Sequence, residues 1–100
     1  MLETLRKEID RIDSALIPLL LERFERVGQI AAEKQKIGIN IIDPEREAKI
    51  LRTVAGATED PVFREQLLRL YRELLECSHD VQRSVLRKET APPDTGADRE

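Results

Sequence analysis

LRKEIDRIDSALIPLLLERFERVGQIAAEKQKI, residues 5–37, decides the fold. Apolar side chains recur at Leu5, Ile9, Ile12, Leu16 and Leu19, the alternating four- and three-residue steps of a helix face packed on other helices. Carried on, the rhythm reaches Arg23, Val27, Ile30, Lys34 and Ile37. Arg23 and Lys34 therefore stand where leucines would continue the seam. Singly, either cation could snorkel to water or pair with a local glutamate such as Glu22 or Glu33. Together, on a face otherwise built for burial, they require an anion between them, because an unpaired buried charge is too costly to keep.

The same stretch predicts one long helix from about Leu2 to Ile37, ended by Gly38 and Asn40, residues that tolerate left-handed backbone angles. Pro18 lies inside it and removes a backbone hydrogen bond at a cost of roughly 3 kcal/mol. The seam keeps its phase on both sides of Pro18, so a kink within one helix is expected rather than a break. Asp43-Pro44 reads as an N-cap followed by proline at the first helical position, opening a second helix that closes near Gly56. Asp60-Pro61 repeats the signal for a third helix of medium length. Its apolar stripe runs Phe63, Leu67, Leu70, Leu74, Val81 and Val85, and it ends near Leu86. The expected fold is all-α, with the domain at 1–87. From Lys88 to Glu100 the chain is polar, carries two adjacent prolines and has no periodicity, as in a disordered tail or linker stub.

Composition narrows the function. Charged residues make up 37% of the 100 and aromatics 3%, which suits salt-bridged helices and not sheets. A net charge of −3 argues against a general nucleic-acid binder, so any positive potential is local and aimed at something small. The lone Cys77 offers neither a disulfide framework nor a metal cluster, and fits a reducing cytoplasm. No signal peptide and no long apolar run is present, so no membrane association is expected. His79 has no histidine or cysteine partner and reads as solvated or structural. A helix of this length spans about 54 Å, whereas a compact monomer of this size has a radius of gyration of about 13 Å. Much of the seam would hang in water, which predicts that the long helix lies along a second copy of itself in an intertwined homodimer.

The chemistry gathers at a few positions. Asp43 caps the second helix, and Glu47 beside its start complements the macrodipole. Arg46, a cation at the positive end of a helix, makes sense beside an anion held jointly with the helix terminus. Ser78 and Gln82 share one face of the third helix, and both can bond a ligand. With Arg6, Arg23 and Lys34 these residues supply four cations, few acid/base candidates, no nucleophile and no metal set. Such a pocket binds a small polyanion and stabilises developing charge.

At this point the chain resembles the all-helical class of chorismate mutases, over roughly Leu5 to Val85. The resemblance rests on Leu5-Arg6-Lys7-Glu8-Ile9-Asp10 followed by Asp13, on Leu20-Leu21-Glu22-Arg23, and on Asp43-Pro44-Glu45-Arg46-Glu47. It implies a unimolecular rearrangement of chorismate to prephenate, with no cofactor and no metal. It also implies that Arg6 comes from the partner subunit and, with Arg23, grips one substrate carboxylate, while Arg46 and Ser78 lie near the other end. Lys34 and Gln82 would flank the ether oxygen whose bond breaks; Asp43 and Glu47 would hold the ring hydroxyl or its neighbours. Arg6 lies about 42 Å from Lys34 along the helix, too far to reach one site from its own chain. The alternatives are an isochorismate-pyruvate lyase on the same fold, and a non-catalytic helical dimerisation or regulatory module.

Overall fold

The computed structural model describes residues 1–90, with side chains through residue 87. They form three helices, α1 (Leu2–Ile37), α2 (Pro44–Ala55) and α3 (Pro61–Thr90), and no strand among the described residues. α1 passes through Pro18 as one helix. Gly38 ends it at φ 76°, and two helix-terminating bonds run from Gly38 N–H to Gln35 O (3.2 Å) and from Ile39 N–H to Lys34 O (3.1 Å). That pairing satisfies carbonyls a helix end would otherwise leave bare.

The two Asp-Pro signals work as caps. Asp43 Oδ1 accepts from the Arg46 N–H at 3.1 Å, and Asp60 Oδ1 accepts from the N–H groups of Val62 (2.8 Å) and Phe63 (3.1 Å). Arg64 closes the α2–α3 turn, its Nε donating to Ala55 O at 2.8 Å and an Nη to Thr58 O at 2.7 Å.

α3 packs on both α1 and α2, which do not pack on each other among the described residues. At the α1–α3 crossing a Cβ on Gly28 would stand 3.2 Å from a Val85 methyl, so the backbones approach closely because this position carries no side chain. Among the described residues the buried apolar ones are only Ala31, Val54 and Leu75, beside buried Ser78, His79 and Gln82. Along the N-terminal half of α1 the seam of Leu5, Ile9, Ile12, Leu16 and Leu19 is exposed, each residue by about half or more. The radius of gyration is 17.8 Å, well above that of a compact chain this long.

Two sequence expectations need correction. α3 continues to Thr90 instead of ending near Leu86, so it is a second long helix of 30 residues. Arg87, Lys88 and Glu89 are good helix formers with no glycine or proline among them, so nothing local stops the helix there. The expected tail thus begins within α3, and positions 91–100 lie outside the described residues. The expected stripe is also not uniformly the buried face, since Phe63 and Leu70 are each 66% exposed. The buried face is Leu75, Ser78, His79 and Gln82, because the middle of α3 is covered from two sides.

Candidate active site

One cleft of about 330 Å3 opens where α1, α2 and α3 converge, and its walls explain the charges in the seam. From α1 come Arg23, Val27, Ile30 and Lys34, from α2 Asp43, Arg46, Glu47 and Ile50, and from α3 Leu75, Ser78, His79 and Gln82. The heptad-like rhythm that placed Arg23 and Lys34 on the apolar face therefore turns both toward the cleft. Its volume is at the lower end for small-molecule sites, with an apolar floor and convergent polar groups.

The local glutamates are engaged elsewhere. Glu22 lies 3.9 Å from Arg26, and Glu33 3.1 Å from Lys36, so neither neutralises Arg23 or Lys34. Arg23 Nη1 donates to Ser78 Oγ at 2.7 Å, and that hydroxyl in turn donates to Leu74 O at 2.8 Å. Ser78 is thus engaged with Arg23, a pairing the sequence did not anticipate. Lys34 Nζ donates to Ile41 O at 3.0 Å, in a loop shaped by the Asn40 side chain, which accepts from Ile42 N–H at 2.9 Å. Among the described residues, no carboxylate forms an ion pair with Arg23, Lys34 or Arg46.

Gln82 is 7% exposed, and its buried Oε1 has no hydrogen-bond partner among the described residues. A buried polar atom left unpaired costs about 1–3 kcal/mol, and here it lies on the wall of a cleft a ligand can enter.

Of the residues singled out from the sequence, Arg23, Lys34, Asp43, Arg46, Glu47, Ser78 and Gln82 all line this cleft. Arg6 does not; it is exposed in the second turn of α1. Two polar lining residues were missed. Arg26 stands at the rim, held toward Glu22. His79, expected as solvated or structural, is buried in the cleft wall and its Nε2 meets Glu47 Oε2. Leu75, His79 and Gln82 are spaced i, i+4, i+7 on one face, but nothing in that spacing alone marks it as the covered one.

No described helix is long and apolar enough to cross a membrane. Among the described residues, no group of three or more His, Cys, Asp or Glu gathers as a potential metal site.

Comparison with known proteins places this arrangement. The family model described as chorismate mutase type II matches residues 5–83. The chain is 34% identical to a bifunctional chorismate mutase/prephenate dehydratase of Aquifex aeolicus, over 84% of this chain and 24% of that protein. It is 35% identical to the T-protein of Enterobacter agglomerans, over 91% of this chain and 26% of that one. A chorismate mutase of Methanocaldococcus jannaschii is 30% identical over 85% of this chain and 87% of its own length. The chain thus spans about a quarter of the first two relatives and most of the third. No solved structure gives a significant match.

Proposed function

The chain belongs to the type II chorismate mutase family, and from that premise we propose that it rearranges chorismate to prephenate in the three-helix cleft, a step toward phenylalanine and tyrosine. The observation that carries this reading is the meeting of Arg23, Lys34 and Arg46, none of them ion-paired among the described residues, with the buried amide of Gln82.

Chorismate presents two carboxylates, a ring hydroxyl and an ether oxygen. Its rearrangement is intramolecular: the ether C–O bond breaks as a C–C bond forms, with no nucleophile and no proton transfer. What a protein can supply is a folded conformer and positive charge at the ether oxygen, which becomes partly anionic as its bond loosens. Arg23, steadied by Ser78, offers its remaining N–H groups to one carboxylate, and Arg46 at the α2 N-terminus serves the other end. Lys34 uses one of its donors on Ile41 O, which leaves two for the ether oxygen. Gln82 donates to the same oxygen from its amide. Asp43 and Glu47 each hold one carboxylate oxygen in an existing bond and keep the other for the ring hydroxyl.

The same proposal pairs two chains. The exposed seam of α1 supports it, since covering the free half of each Leu or Ile stabilises by about 1 kcal/mol per residue. In that homodimer Arg6, about 42 Å from Lys34 along its own helix, reaches the partner's cleft and joins Arg23 on a carboxylate. A cytoplasmic setting fits the free thiol of Cys77.

The direct test is loss of chorismate absorbance on mixing with the purified protein, with the product identified. Prephenate is the expected product. No turnover, or pyruvate from isochorismate in place of prephenate from chorismate, would overturn the reading.

A further inference from the structure

His79 is the chain's one histidine and has no part in the mechanism above. Its side chain is 9% exposed, with Nε2 2.5 Å from Glu47 Oε2 and Nδ1 3.5 Å from Glu76 Oε1. Glu76 is 70% exposed and stands in solvent, whereas Glu47 is 26% exposed and lines the cleft. The shorter contact thus joins α3 to the first turn of α2 inside the cleft wall.

A carboxylate at Glu47 has competing partners. Arg46 precedes it, and Lys34 and Arg23 line the same small cleft. A charge-assisted bond to any of them would be favourable, and would neutralise a cation before an anionic ligand arrives. Neither acid of the cleft makes such a bond among the described residues. Asp43 is occupied by the Arg46 backbone N–H, and Glu47 by His79. Arg23, Lys34 and Arg46 remain available because both carboxylates of the cleft are tied elsewhere.

We infer that His79 is a positioning residue, whose Nε2–H tethers the Glu47 carboxylate away from Arg23, Lys34 and Arg46 and presents its other oxygen to the substrate hydroxyl. For its substrate the inference rests on the mutase reading. His79 touches no reacting atom in this role. It acts through Glu47, as a packed and directional donor that fixes one rotamer of a binding group.

The test uses the full chain as wild type, His79→Leu, Glu47→Gln and the double variant. His79→Leu frees the carboxylate to pair with a cation, so KM for chorismate rises about tenfold while kcat changes less. In the double variant the freed group is an uncharged amide, so KM falls back to within about twofold of Glu47→Gln alone. His79→Gln keeps an N–H donor and holds KM within about threefold of wild type. If His79 merely filled space, the two lesions would multiply instead, and that result overturns the inference; so does an unchanged KM in His79→Leu. Should His79→Leu fail to fold, His79→Gln and nitrogen-15 NMR of the imidazole decide. With a single histidine the signal is unambiguous, and Nε2 must shift when Glu47 becomes Gln; an unmoved Nε2 resonance overturns the tether. Should the wild type bind chorismate without converting it, the mutase reading fails, and calorimetric affinities of the same proteins must still show the same pattern. Absence of binding by the wild type overturns both.

Discussion

Lys34 occupies a leucine's place in the helix face, yet among the described residues its side chain bonds only a loop carbonyl, Ile41 O. That bond is worth about 1 kcal/mol, so Lys34→Ala should leave the thermal melt nearly unchanged. Its effect on catalysis should be far larger. Removing one transition-state donor lowers kcat by about a hundredfold or more, read as the rate of chorismate loss at saturation. Gln82 makes a separate prediction about pH. An amide does not titrate, so turnover should stay nearly flat from mildly acidic to mildly basic solution. Gln82→Glu must be protonated to donate, and should confine activity to acidic pH; a wild-type rate that collapses in mild alkali would contradict the role given to Gln82. At this scale the cations were legible because a charge interrupts an apolar rhythm. His79 was not, because a lone imidazole among polar neighbours interrupts nothing. Only the direction from which α2 covers α3 shows that the residue after Ser78 is turned inward.

Among the elements, the beginnings were more legible than the ends and faces. Asp43-Pro44 and Asp60-Pro61 are local chemical devices, complete within three or four residues, and so is the turn at Gly38. The end of α3 has no such device before Thr90, and its buried face is set by two other helices rather than by its own pattern. Gly28 belongs to this scale too. A methyl there meets Val85 at 3.2 Å, so the gain of about 1 kcal/mol for alanine in a helix is opposed by crowding. Gly28→Ala should therefore stabilise by about 1 kcal/mol on a Val85→Ala background and by less on the wild type, measured by urea titration. Gly28→Val should destabilise by about 1–3 kcal/mol. Equal effects of Gly28→Ala on both backgrounds would mean that the crossing is looser than the 3.2 Å approach implies.

For the whole molecule, the length of α1 was readable and with it the mismatch between a seam and a single chain. The shared site proposed from that mismatch has a direct test. Arg6→Ala and Lys34→Ala should each give nearly inactive homodimers. Refolded together in equal amounts, about half the dimers are mixed, and each mixed dimer holds one site with both residues intact. About a quarter of the wild-type activity should return if the sites act independently. No recovery in confirmed mixed dimers would mean that each site is built from one chain. The small interior of Ala31, Val54 and Leu75 has its own consequence. With so little apolar surface hidden within one chain, the proposed homodimer would make folding and pairing a single equilibrium governed by mass action. Melting temperature and specific activity should fall together on dilution over about a hundredfold range, and a melting temperature indifferent to concentration would separate the two processes. In such a dimer output per chain would rise with the abundance of the chain, so the rate of synthesis would set activity more steeply than in proportion.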